Sequence, residues 1–221
     1  MNKNQIMTIE NKLSLKLSEE QVLAFEKWEE LFLEYNSHTN LMSKNEVPNL
    51  FEKHIFDSLS IVLWEKFLPL LNSKTDGQSG VKLMDIGTGG GFPSIILALA
   101  FPKITVIAND SRQKKTKFLE LIKENLGLQN LQILYGRAED FPCQNVDIVT
   151  FRAVGKIKDI LPLAKAHLKQ GGYGIFYKAK EVETEIEEAL SAHKNLKTPD
   201  VIPYNLPTDV QTTRNLVVFK F

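Results

Sequence analysis

The 221-residue sequence has a single cysteine, Cys143, which excludes an internal disulfide and any multi-cysteine metal site. Its four histidines, His38, His54, His167 and His193, show no spacing that sets two on one helical face as ligands, so no structural metal is expected. No apolar run approaches the ~20 residues that span a bilayer. The opening MNKNQIMTIENK lacks the apolar core of a secretion signal. These absences lead to the expectation of a soluble cytoplasmic protein. Basic and acidic residues balance at 27 each, which argues against an extended polybasic surface. Internal repeats and low-complexity tracts are missing as well.

What is present is ordinary for a globular chain: 43% hydrophobic and 24% charged residues, enough for one sizeable core with an added segment. Charge is unevenly spread. Residues 150–180 hold seven bases (Arg152, Lys156, Lys158, Lys165, Lys169, Lys178, Lys180) and one acid, Asp159, whereas 181–188 hold five acids and no base. This is either two solvated faces of opposite sign or an anionic substrate lying beside the first stretch.

The first eighty residues read as helical. Ser18 and Gln21 form a capping box ahead of Val22, Phe25, Trp28, Phe32 and Tyr35 at helical spacing. Pro48 opens a second amphipathic helix with Phe51, Ile55, Leu59 and Val62 on one stripe, ending near Pro69. A polar linker over 72–80 separates this extension, 1–80, from a second region, 81–221. There the pattern alternates, with strands expected over 81–86, 104–109, 131–135, 146–151 and 173–178. Helices are expected over 94–100, 113–126, 157–168 and 181–193. Such alternation predicts an α/β fold with a mainly parallel sheet flanked by helices. The tail segments VIPYNLP and NLVVFKF suit a hairpin on the sheet edge.

The stretch LMDIGTGGGFPSI places four glycines in five residues directly after the first expected strand. A phosphate-binding P-loop would need Lys followed by Ser or Thr after the glycines, but Phe92 and Pro93 follow Gly91. G-x-G-x-x-G fits in neither register, and Pro93 lacks an amide for a pyrophosphate. Asp85, ahead of the turn, suits a cationic ligand better than an anionic one. S-adenosylmethionine combines a ribose, an adenine and a positive centre. LMDIGTGGG resembles the first motif of class I methyltransferases, with Gly87, Gly89 and Gly91 in register. Asp110, closing the second strand, matches the acid expected to hold ribose hydroxyls, and Ala138 and Glu139 match the position beside adenine.

The segment after the fourth strand narrows the acceptor. FRAV stands where exocyclic-amine methyltransferases often carry an Asn/Asp-Pro-Pro-Tyr/Phe motif, and Cys143 precedes that strand, so it is a poor nucleophile for carbon methylation. A ring nitrogen with a free lone pair needs alignment more than a base. YNSHTNLMS, HIFDSL, DIGTGGGFP, NDSRQKKTKFL, GRAEDF, FRAV and GGYGIFYK together resemble the glucose-inhibited-division protein B family. That resemblance implies a seven-stranded class I fold with an N-terminal helical extension. It also implies transfer of a methyl group from S-adenosylmethionine to a guanine N7 of small-subunit (16S) ribosomal RNA, free or in the ribosomal particle, by a monomer. It implies cofactor contacts at Asp85, Gly87, Gly89, Gly91, Phe92, Asp110, Ala138 and Glu139. Arg152 is implied both as the catalytic residue at the reaction centre and as a cofactor contact, and RNA contacts are implied at Arg137, Lys178, Arg112, Lys114 and Lys115. His54 and Asp57, three apart on a helix, are read first as a pair joining the extension to the sheet and second as substrate contacts. Methylation of a small molecule or protein, and a non-catalytic RNA-binding module, are the competing readings.

Overall fold

The computed structural model describes residues 1–72, 80–208 and 210–221. Most of the expected linker, 73–79, lies outside the described residues. Helix α1 (Lys3–Leu13), within the stretch expected to be helical but without bounds read from the sequence, is held by a reciprocal cap. Asn2 accepts from the Gln5 amide, the Gln5 side chain accepts from the Asn2 amide, and Ile9 and Leu13 face the core. Helix α2 (Glu19–Thr39) begins at the Ser18–Gln21 box, as the sequence predicts. It buries Phe25, Trp28 and Phe32 and stops at Asn40, which takes a left-handed conformation.

The second amphipathic helix is where the structure departs from expectation. In place of one helix from Pro48 to Pro69, the chain runs through a 3₁₀ turn (Val47–Asn49) and a π turn (Phe51–Phe56). A single α turn, α3 (Asp57–Leu59), a 3₁₀ turn (Ser60–Leu63) and α4 (Phe67–Asn72) follow. The apolar stripe holds, since Phe51, Ile55, Leu59 and Val62 are all buried. The irregularity has a local cause: Ser58 Oγ donates to the His54 carbonyl and Ser60 Oγ to the Asp57 carbonyl, competing with the backbone for those acceptors.

Seven strands among the described residues form one sheet in the order β3-β2-β1-β4-β5-β7-β6. Strands β1 (Lys82–Ile86), β2 (Thr105–Asp110), β3 (Leu131–Tyr135), β4 (Val146–Arg152) and β5 (Leu168–Lys178) are parallel. The tail forms the expected hairpin of β6 (Asp200–Leu206) and β7 (Thr212–Lys220), with β7 antiparallel to β5. Helices α5 (Ser94–Ala100), α6 (Gln113–Leu126), α7 (Ile157–His167) and α8 (Glu183–Ala192) fall within two residues of the segments read from sequence. Two cores flank the sheet. Met84, Val149, Phe151 and Phe176 pack with α7 and α8 on one face. On the other, Leu83, Ile148 and Ile175 share a single core with α5 and α6 and with Ile9, Phe25, Trp28 and Phe67 of the N-terminal helices.

Candidate cofactor site

Strand order reverses between β1 and β4, and the carboxyl ends of β1, β2 and β4 open there onto a cavity of about 600 Å³. Open α/β sheets bind their ligands at such a point. The glycine turn after β1 forms one side. Gly87 and Gly89 have φ of +75° and +60°, and a Cβ on Gly87 would come 2.7 Å from Val154 Cγ2. Only glycine combines that conformation with that approach. The amides of Gly87 and Thr88 donate to the Asn109 carbonyl, which ties the turn to the end of β2.

Asp110 closes β2 and lines the cavity. Its carboxylate is aimed by two backbone donors: Gly89 N to Oδ2 at 2.8 Å and Arg112 N to Oδ1 at 2.9 Å. Each oxygen keeps a lone pair for another donor. Ala138 and Glu139, in the 3₁₀ turn after β3, line the opposite side, with Ala138 buried and Glu139 exposed. The fixed acceptor pair, the glycine turn and a cavity within the usual ligand size range suit a ribose and an adenine.

Other expected residues stand back from the cavity. Asp85 is fully buried behind the turn, accepting from Thr150 Oγ1 at 2.8 Å and from the Ser94 amide at 3.2 Å, so it ties the turn to β4 and to α5. Burial pushes its carboxyl up to about 6, against the pull of the hydrogen bonds from Thr88, Thr150 and Ser94 and of the Arg152 charge. Gly91, at φ +92°, yields its side-chain space to Ile95. Phe92 is buried in an aromatic cluster with Trp28 and Phe32, at ring separations of 5.7 and 5.5 Å. None of these three lines the cavity.

Arg152 does not line it either; its guanidinium is engaged by residues 53–57. Lys178 donates to Glu185 and to the Gly155 carbonyl, both at 2.6 Å, and is largely buried. The basic stretch is therefore partly neutralised by the acidic one: Lys178 pairs with Glu185, and Lys156 and Lys158 with Glu188. Neither reading of the two stretches from sequence paired them with each other, but α8 lies against α7 and brings them together. Lys115 is half-buried and donates to the Leu41 carbonyl at 2.6 Å; burial lowers its ammonium from the usual value. Arg112, Lys114 and Arg137 are exposed, Arg137 facing Glu139 at 3.5 Å.

Sequence reasoning missed the Asn109 side chain, which donates to the carbonyls of Leu134 and Gly136 at 3.0 Å and braces the end of β3 against β2. A polar residue inside an otherwise apolar strand was the available signal. It also missed Ala153 and Val154, which line the cavity, and the Tyr204 hydroxyl, which donates to Asp57 across 147 residues.

A parallel sheet with this reversal, an antiparallel seventh strand beside the fifth, and an aimed acid at the end of the second strand define a class I methyltransferase fold. Solved structures agree. The chain is similar to the CurJ carbon methyltransferase, with a TM-score of 0.57 and 14% identity over 74% of this chain and 53% of that one. It is also similar to TYW2 of M. jannaschii, solved in complex with AdoMet, with a TM-score of 0.52 and 17% identity over 71% and 75%.

Sequence narrows the class to one family. The family model for rRNA small subunit methyltransferase G, GidB, matches residues 21–217, and the chain belongs to that family. Curated relatives carrying the name ribosomal RNA small subunit methyltransferase G include one from Lachnoclostridium phytofermentans, 34% identical over 94% of this chain and 84% of its own length. Another, from Streptococcus gordonii, is 36% identical over 87% and 81%.

Proposed function

We propose that this chain transfers a methyl group from S-adenosylmethionine to N7 of a guanine in small-subunit ribosomal RNA, acting as a cytoplasmic monomer. The carrying observation is the Asp110 carboxylate, held by two backbone amides at the rim of a strand-end cavity, in a chain whose family is named for small-subunit rRNA methylation. When bound, the cofactor supplies an electrophilic methyl group on sulfur.

The chain's own residues bind and orient. Asp110 accepts the ribose hydroxyls, Gly87 and Gly89 let the backbone approach closely, and Ala138 and Glu139 flank the adenine. A guanine N7 attacks through its lone pair without first losing a proton, so alignment in the cavity carries the rate. Cys143 is exposed and outside the cavity lining, which disfavours a thiolate-assisted carbon methylation. Arg112 and Arg137 sit exposed at the β2 and β3 ends of the cavity, with Lys114 exposed in the first turn of α6, and an RNA backbone there would meet positive charge. Among the described residues no helix is long and apolar enough to cross a membrane.

The test is transfer of a labelled methyl group to unmodified small-subunit rRNA and to small-subunit particles, mapped by cleavage selective for N7-methylguanine. One labelled guanine is the expected result. Label on RNA that resists this cleavage would reject the N7 assignment, and a protein or small metabolite labelled in place of RNA would reject the substrate class.

A further inference from the structure

Arg152 ends β4, and three groups of the irregular N-terminal segment converge on its guanidinium. Nε donates to Asp57 Oδ2 at 2.8 Å, Nη2 donates to the Lys53 carbonyl at 2.7 Å, and Nη1 and Nη2 lie 3.2 and 3.1 Å from His54 Nδ1. Burial, then the positive charge of Arg152, pushes the His54 imidazole down to about 3, so its ring is neutral and Nδ1 is free to accept. The π turn over Phe51–Phe56 has a purpose in this light: its wider step sets Lys53 O, His54 and Asp57 around one side chain. Asp57 is 3% exposed, and its second oxygen accepts from the Tyr204 hydroxyl at 2.6 Å.

The two residues that follow Arg152 belong to the cavity. Ala153 has φ +56°, a conformation an alanine keeps only where its surroundings dictate it, and Val154 fills the space a side chain on Gly87 would need. Arg152 is the last strand residue before this turn, and its side chain ties that end of β4 to the N-terminal segment.

We infer that Asp57 is a positioning residue for the methyl-transfer site: by holding Arg152 it fixes Ala153 and Val154 against the glycine turn and so sets the shape of the cofactor cavity. Asp57 lines no part of that cavity. Its influence passes through Arg152, and the pair acts as a unit. The inference rests on the reading that the cavity takes S-adenosylmethionine.

A double-mutant cycle on cofactor affinity tests it. Asp57→Asn, Arg152→Ala and the double variant are titrated calorimetrically with S-adenosylmethionine, with thermal melting followed in parallel. Each single change should raise Kd about tenfold and the double change no further, as for two residues in one chain of action. A Kd within about twofold of wild type for Asp57→Asn, whatever its melting temperature, would reduce Asp57 to a structural role and overturn the inference, as would factors that multiply. If Asp57→Asn does not fold, Asp57→Ser takes its place in the cycle and is judged by the same outcomes. A wild-type chain that binds no S-adenosylmethionine defeats the inference together with the cofactor reading. One that binds it and shows the expected cycle, yet labels no guanine, loses only the assigned acceptor.

Discussion

Burial raises the Asp85 carboxyl and lowers the His54 imidazole, and their contributions to stability run in opposite directions with pH. The folded Asp85 carboxyl is raised, so it keeps a proton that the unfolded chain has already lost. Its contribution is full below about pH 4 and disappears as pH rises through 6, a change of about 3 kcal/mol. Folded His54 is depressed, so the unfolded chain takes up a proton first. Its contribution is full above about pH 6.5 and drains as pH falls toward 3. Urea unfolding should show wild type losing stability relative to Asp85→Asn between pH 4 and 7, and relative to His54→Gln on going from pH 7 to 5; slopes of the reverse sign would refute the burial account. Asp110 lies at the surface of the cavity, and its effect is on binding: Asp110→Ala should weaken S-adenosylmethionine by about 100-fold in calorimetry, the worth of two charge-assisted hydrogen bonds. The glycines and Asp110 were legible because a turn after a strand announces itself by residue type. The surroundings of Arg152 were not, because Lys53, His54 and Asp57 lie about a hundred residues away and Tyr204 about fifty in the other direction.

At the scale of elements, the position of α8 decides which basic residues are available to RNA. Its acids face Lys156, Lys158 and Lys178, leaving Lys114 on the exposed face of α6 as a better phosphate contact than Lys178. Lys114→Ala should therefore weaken rRNA binding evenly across sequences and lower the slope of log K against log salt by about 1. Lys178→Ala should leave that slope in place and reduce thermal stability, because it leaves Glu185 with only the Ile157 amide as donor among the described residues and removes the lysine donor from the Gly155 carbonyl. Filter binding across a salt series separates the two. The strands and the sheet helices were readable to within a few residues, except that β5 begins five residues earlier than its apolar run, through Gly171 and Gly172. The broken helix over 47–72 was not readable, because the wider π step and the tighter 3₁₀ step offset each other and leave Phe51, Ile55, Leu59 and Val62 at an average spacing close to that of an α-helix.

Across the whole molecule, one apolar core joins the N-terminal helices to the sheet face that carries α5 and α6. A chain beginning at residue 81 would expose Ile95, Leu97, Ile148 and Ile175 and lose the partners of Arg152. It should bind a hydrophobic dye and melt without a cooperative transition, whereas the full chain should melt in one step by calorimetry. The bond between Tyr204 and Asp57 also sets a schedule. During synthesis the glycine turn, both strand-end acids and Arg152 all leave the exit tunnel before Tyr204 does. On the inferred role of Asp57, a nascent chain carries the parts of the proposed cofactor site for some fifty residues before it carries Tyr204, and its grip on the methyl donor should tighten only after β6 has emerged.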